Sequence, residues 1–208
     1  MRAARALASS AAAAPNAAVS GFRLWPEFVT EAEHDEQLAE SPLVCVLDAR
    51  LRKRRYERDH WDAVIVNYRE AEAPDALFAA GAAGALRRWR ALVATELGCE
   101  AFLPLHCIDL DGDGVITPHV DSVKFSGGVV SGLSLRSKST LVLQRAHDDG
   151  TVVAGATSHA CELAPRSMYT LSGDARFRYA HSVVGVTQRR LSLILRDEMQ
   201  GTPGDVGT

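Results

Sequence analysis

No two of the four cysteines stand close enough to act as a ligand pair. Cys45, Cys99, Cys107 and Cys161 are scattered, and none belongs to a Cys-x-x-Cys motif. That argues against a structural zinc site of the usual spacing. The spacing also offers no disulfide framework, and a domain of this size does not need one. The thiols are therefore read as free and mostly buried. Net positive charge is lacking too. The formal charge is −3, so the chain has no overall basic field of the kind that non-specific nucleic-acid binders carry. A local basic patch would still suffice for specific binding. Nor is there an apolar run of about 18 residues or more, the length a helix needs to cross a bilayer.

What the chain does contain is enough apolar sequence, 47% of 208 residues, for one sizeable core. About 100–200 residues per domain is usual, so a single domain is expected. Residues 1–20 differ from the rest. They hold Arg2 and Arg5, several serines and many alanines, without Asp or Glu. This is the composition of an organelle transit peptide, mitochondrial ahead of plastid, or of a low-complexity tail. The folded domain is expected over residues 21–198, with a disordered tail over 199–208.

Residues 25–40, "WPEFVTEAEHDEQLAE", have helical spacing, and Thr30 with Glu33 makes a capping-box pattern. The run "LVCVL" at 43–47 is a candidate strand. A second, longer helix is expected over about 74–97, with Leu86, Trp89, Leu92 and Val93 on one face and Gly98 ending it. Between them, Arg50, Arg52, Lys53, Arg54, Arg55 and Arg58 cluster with Tyr56 and Trp61. This segment is either a solvated charged stretch or a surface for nucleic acid or another anion. After Phe102 the pattern becomes short, β-branched and often alternating, from "FLPLHCIDL" and "GVITPHV" through "TVVAGA" to "RRLSLILRD". Many short strands broken by turn residues point to an antiparallel sandwich or barrel. The fold class is α+β, helices first and a β half after them.

The segment "DLDGDGVITPHVD" holds two conflicting signals. Asp109, Asp111, Asp113 and Gly114 match an EF-hand loop, but its closing bidentate Glu is replaced by Val120. An Asp- and Gly-rich turn between two strands accounts for these residues without calcium. His119 and Asp121 lie two apart, so in a strand they project from the same face. A distant histidine would complete a two-His-one-carboxylate triad, which leaves open positions on Fe(II). His147, His159 and His181 are the candidates. Only His181 is followed by a strand that opens on an arginine, Arg190. An always-charged guanidinium there suits the far carboxylate of a metal-bound 2-oxoacid.

With these residues in view, "ITPHVDSVKFSGGVVSGLSLRS", "MYTLSGDARFRYAHSV" and "RRLSLILR" resemble the core of the AlkB family of Fe(II)/2-oxoglutarate dioxygenases. With "RRYERDHWDAVI" upstream, the likeness covers about residues 22–198 and is greatest to the mitochondrial seventh-homologue branch of animals. The resemblance implies a double-stranded β-helix (jelly-roll) core of antiparallel strands with N-terminal helices packed against it. It implies Fe(II) on His119, Asp121 and His181, with 2-oxoglutarate and O₂ as cosubstrates. The Arg-x5-Arg motif falls on Arg190, for the cosubstrate's C5 carboxylate, and Arg196, to neutralise its other end or order the site. Tyr169 is implied as a hydrogen-bond donor to the cosubstrate. The Asn-x-Tyr of DNA-repair members is replaced by Ile108 and Leu110, as in the seventh-homologue branch. No aromatic lid for a flipped base is evident, and the short link from His181 to Arg190 leaves little room for a covering loop. The implied role is oxidation of a C–H or N-methyl group on a protein substrate in the mitochondrial matrix, linked to fatty-acid metabolism or regulated necrosis. The other readings are demethylation of methylated mitochondrial tRNA and a non-enzymatic interaction protein that keeps the fold.

Overall fold

The structure is a computed structural model that describes residues 14–15, 18–33, 48–57, 64–73, 83–124 and 126–199. Ten strands among them join in one curled antiparallel sheet. They are β1 (Ala14–Pro15), β2 (Phe22–Trp25), β3 (Ile65–Glu72), β4 (His106–His119), β5 (Val129–Leu135), β6 (Ser139–Arg145), β7 (Ser158–Leu163), β8 (Met168–Ser172), β9 (Tyr179–Val184) and β10 (Arg190–Arg196). The order across the sheet is β1-β2-β8-β5-β10-β4-β9-β6-β7, with β3 also on β4. Helices α1 (Glu31–Glu33), α2 (Ala83–Leu97) and α3 (Gly173–Phe177) accompany them.

Period-two alternation divides the interior into two cores. In β5, Val129, Leu133 and Leu135 face outward and pack with Leu86, Trp89 and Val93 of α2, all three fully buried. The spacing of those three residues is what gave α2 its apolar stripe in the sequence. Leu92 is only partly buried, at the margin of the same cluster. Val130 of β5 points the other way, into a second core with Ile108, Leu110, Leu141, Leu143, Tyr169 and Ile194. The functional residues open off this inner core.

β4 corrects the sequence reading. The Asp- and Gly-rich stretch is not a turn between two strands. It lies inside one 14-residue strand, whose first half pairs with β10 and whose last residues pair with β9. The local chemistry was read correctly, since Asp113 does sit at positive φ (70°). Asn67, itself at φ 52°, donates to Asp113 Oδ1 at 2.7 Å. A Cβ on Gly114 would come within about 3 Å of Leu110 Cβ and of two carbonyl oxygens, so the strand can bend there only without a side chain. The bend redirects the chain without reversing it.

Other expectations shift at their edges. The first helix does not begin at Trp25, which is in β2; it begins at Glu31, after the Thr30 cap. Its continuation past Glu33, the candidate strand at 43–47 and the first part of the predicted 74–97 helix lie outside the described residues. "TVVAGA" forms turns with one bridge, Ala146 to Val152, because Gly155 adopts positive φ. Cys99, Cys107 and Cys161 are free.

The capping box forms as its residues predict. Thr30 N–H donates to Glu33 Oε2 at 3.0 Å, and Glu33 N–H donates to Thr30 Oγ1 at 3.2 Å. The Glu33 carboxylate also takes two hydrogen bonds from Arg88 of α2, at 2.6 and 2.9 Å. Chiefly through Arg88, its pKa falls to about 2 from an ordinary 4.5. A depressed acid stabilises above its unfolded pKa and loses that contribution as pH falls through the folded value. Glu33→Gln is therefore expected to cost about 1 kcal/mol at neutral pH, since the pair is partly exposed and screened. The gap to the wild type should close between pH 4.5 and 2 in denaturant unfolding.

Candidate metal centre

His119 is the last residue of β4, and it stands directly opposite His181 in the antiparallel register with β9. Paired residues share a face, so the two rings come together with centroids 4.2 Å apart. Asp121 follows two residues on. One ligand atom from each of the three lies within 4.8 Å of the others. His119 Nε2 is 3.1 Å from Asp121 Oδ1, and His181 Nε2 is 3.9 Å from the same oxygen. Adjacent ligands with metal bonds near 2.1 Å stand about 3 Å apart, so a small inward shift of His181 completes such a shell.

The hydrogen bonding around His119 tests the fit more sharply. Its Nδ1 faces the Thr117 carbonyl at 2.9 Å, and a carbonyl can only accept, so Nδ1 carries the hydrogen. Nε2 then presents a lone pair to an ionised carboxylate at 3.1 Å. That contact is repulsive unless a proton or a metal cation lies between them. Burial pushes His181 down to about 3, and the neighbouring His119 adds to it, which keeps the imidazole neutral and able to ligate. Burial opposes ionisation of Asp121, but the His119 contact, where a proton or cation lies between the two groups, and the charge of Arg196 outweigh it and hold the carboxyl well below its ordinary range. Two imidazoles and one carboxylate make the donor set of a facial-triad iron site.

Second contacts fix this set. Arg196 Nε donates to Asp121 Oδ2 at 2.9 Å. Arg176 of α3 was not singled out from the sequence. It is buried, donates to the Asp121 carbonyl at 2.8 Å and to Ser126 Oγ at 2.8 Å. Its position five residues before His181, inside the quoted "GDARFRYAH", was the available signal. Asp197 was also missed. Its carboxylate accepts from the Gly128 and Val129 N–H groups at 2.9 Å each, closing the loop that leaves Asp121.

Arg189 and Arg190 are neighbours that face opposite sides of β10. Arg189 points outward and is fully paired, with Asp109 at 2.8 Å and Asp48 at 2.7 Å. Arg190 points inward and is 1% exposed. Among the described residues its Nη atoms reach only hydroxyls, Ser192 Oγ at 3.0 Å and Ser134 Oγ at 3.4 Å, and its Nε has no partner. Burial lowers its pKa. A buried cation without a counter-charge is costly, and an incoming carboxylate would relieve that cost.

Tyr169 of β8 pairs in register with Gly132 of β5, and its ring lies where a side chain on Gly132 would be. The ring is buried. Burial raises its pKa, and the charges of Arg190, Asp121 and Arg196 also act on it. A relay from the outer core holds its backbone: Trp89 Nε1 donates to Ser131 Oγ, which donates to the Tyr169 carbonyl, each at 2.8 Å. His147 lies exposed in the turn after β6, and neither it nor His159 belongs to the ligand cluster among the described residues. Ile108 and Leu110 are plain core residues.

No protein-family model matches the chain. It is 34% identical over 194 residues to "Alpha-ketoglutarate-dependent dioxygenase alkB homolog 7, mitochondrial" of Bos taurus, covering 88% of this chain and 81% of that one. The protein of the same name from Mus musculus is 34% identical over 192 residues, covering 86% and 82%. Among solved structures, a prolyl hydroxylase from Trichoplax adhaerens in complex with a hypoxia inducible factor peptide fragment matches with a TM-score of 0.59 at 10% identity, covering 85% of this chain and 83% of that one. The epimerase SnoN in complex with Fe3+, alpha ketoglutarate and nogalamycin RO matches at 0.55 and 13%, covering 90% and 88%. At such identities these two likenesses concern the fold alone.

The Gly132 contact yields a test. Gly132→Ala should displace the Tyr169 ring and destabilise the protein by about 1–3 kcal/mol through overpacking. The denaturant midpoint reads this, and an unchanged midpoint would contradict the geometry.

Proposed function

The chain belongs to the AlkB family of alpha-ketoglutarate-dependent dioxygenases, and from that premise we propose which residues carry the activity. His119, Asp121 and His181 hold Fe(II). Arg190 pairs with the C5 carboxylate of 2-oxoglutarate (alpha-ketoglutarate), and Tyr169 donates a hydrogen bond to the same molecule. The observation that carries this reading is Arg190, a buried guanidinium that lacks a counter-charge among the described residues while its neighbour Arg189 has two. Arg196 and Arg176 hold Asp121 in place. When bound, the iron activates O₂ at the expense of 2-oxoglutarate, giving succinate and CO₂ and leaving one oxygen atom for a substrate C–H bond. The protein's own work is positioning: two imidazoles, an ionised carboxylate, a fixed diacid, and a site open on one side. The side chain of His119 keeps 21% exposure there.

The dioxygenase domain is assigned to residues 21–198, a double-stranded β-helix with N-terminal helices against it, and β1 (Ala14–Pro15) joins its sheet from upstream. Residues 1–20 direct it to the mitochondrion. The acid-free composition of that segment and the names of the two relatives support this. The substrate is a protein carrying the oxidised C–H or N-methyl group. The open site and the absence of a base-stacking aromatic lid in the sequence support that choice. The link to fatty-acid metabolism or regulated necrosis rests on the family resemblance.

Demethylation of a mitochondrial tRNA is the second reading, and the basic segment is in its favour. Arg50, Lys53 and Arg54 line a cavity of about 600 Å³, but Glu70, Glu72 and His106 share it. This cavity lies at the His106 end of β4, 13 residues from His119. That is on the order of 40 Å along an extended strand. A phosphate held there would be remote from the group being oxidised.

Succinate formation with excess Fe(II), 2-oxoglutarate and ascorbate tests the assignment. His119→Ala together with Asp121→Ala should abolish it, and turnover that survives both would refute the iron site. Arg190→Met should raise KM for 2-oxoglutarate by roughly 10- to 100-fold, the worth of a charge-assisted pair. A salt titration against tRNA separates the two substrate readings, because phosphate-driven binding falls steeply with ionic strength. The protein reading expects no measurable tRNA binding even at low salt.

A further inference from the structure

The sheet continues outward beyond the row that holds the two histidines. That row reads His119, His181, Leu143, His159 across β4, β9, β6 and β7. Along β9 the inward-facing residues are Val183, His181 and Tyr179, and exposure rises from 2% to 8% to partial. Along β6 they are Leu141, Leu143 and Arg145, the first two buried and the last exposed. Along β7 they are Leu163, fully buried, then Cys161 and His159, both partly exposed. Each strand therefore runs from core to rim, and Tyr179 and Arg145 stand opposite each other one pleat repeat outside the ligand row.

Side-chain contacts bind this rim together. The Arg145 guanidinium lies 5.7 Å from the centroid of the Tyr179 ring. His159 meets the same ring edge-on at 6.2 Å. β6 lies between β7 and β9, a separation of nearly 10 Å, so the two rings meet only by leaning together over Leu143 and Arg145. All three side chains thus face the side that His181 faces. Neither the metal nor the cosubstrate assignment uses them. Among the described residues no carboxylate comes within ion-pair distance of Arg145.

We propose that Arg145, Tyr179 and His159 form a subsite that recognises a carboxylate side chain of the protein substrate, about 7 Å outward of the iron-binding row. The inference rests on the protein-substrate reading and deepens it. The Arg145 guanidinium sits over the Tyr179 ring at 5.7 Å, which leaves its N–H groups available to a bidentate carboxylate. His159, edge-on to the same ring, offers a further ring nitrogen. The spacing corresponds to a substrate residue about two positions from the oxidised one, in an extended peptide. Charge at the rim favours one carboxylate over a run of phosphates. Asp148 and Asp149 are exposed in the turn that follows Arg145, and a phosphodiester backbone would meet them as like charges.

The test uses the full-length protein loaded with Fe(II) and 2-oxoglutarate without O₂, and fluorescent decapeptide pools matched except for Glu, Gln or Lys at the variable positions. Binding is read by anisotropy. The wild type should bind the Glu pool about three- to fivefold more tightly than the Lys pool, the size of an exposed ion pair. Arg145→Glu should reverse that order and Arg145→Gln should erase it. Equal binding of all pools by the wild type, or a preference that Arg145→Glu leaves in place, overturns the subsite and leaves the protein-substrate reading standing. Failure of every pool to bind, whether or not a methylated tRNA binds instead, overturns both.

Discussion

The continuity of β4 is the constraint on which the rest depends. One strand pairs with β10 at its start and β9 at its end, so it serves both sides of the curled sheet. The side chain that ends it, His119, is set by that second pairing opposite His181. The bend in between uses an aspartate at positive φ and a glycine with no room for a methyl group. A straight strand would carry His119 away from β9. The residues that first looked like a calcium loop are thus the hinge that brings two distant histidines face to face.

Charge compensation divides the two faces of β10 as sharply as polarity does. Outward, Asp109 is fully buried yet accepts from Arg69, Arg189 and Tyr56, so its side-chain oxygens are well satisfied. Inward, Arg190 has hydroxyls only among the described residues. A fold able to surround one carboxylate with three donors leaves a guanidinium unmatched on the opposite face of the same sheet. Buried charge without a partner is tolerated where a ligand completes it. The same logic orders Asp121, which is held from one side by Arg196 and through its backbone by Arg176.

Much of this was readable from residue pattern. The α2 stripe of Leu86, Trp89 and Val93, the Thr30–Glu33 cap, and the joining of His119, Asp121 and His181 all follow from spacing and chemistry. Each is a local periodicity or a residue type with few alternative uses. What escaped has a different character. Arg176 reaches Asp121 through a backbone carbonyl, which no side-chain pattern encodes. Asp197 acts on the N–H groups of a loop 69 residues away. Gly132 matters because a tyrosine from another strand lies over it. The bend in β4 was misread because Asp and Gly serve a turn and a bulge equally well, and only the partners on either side decide between them.

The position of β10 in the sheet has a consequence for the timing of assembly. It is the last strand described, yet it lies in the middle of the order, between β5 and β4. Neither neighbour can complete its ladder until β10 is available, and β9, which carries His181, is nearly as late. Closing such sequence-distant pairings is intrinsically slow. A chain emerging from a ribosome, or threading N-terminus first through a membrane pore, therefore has His119 long before it has a place to bind metal. Maturation of the centre waits for the final third of the polypeptide, so the compartment that receives that last third also determines which metal the centre meets.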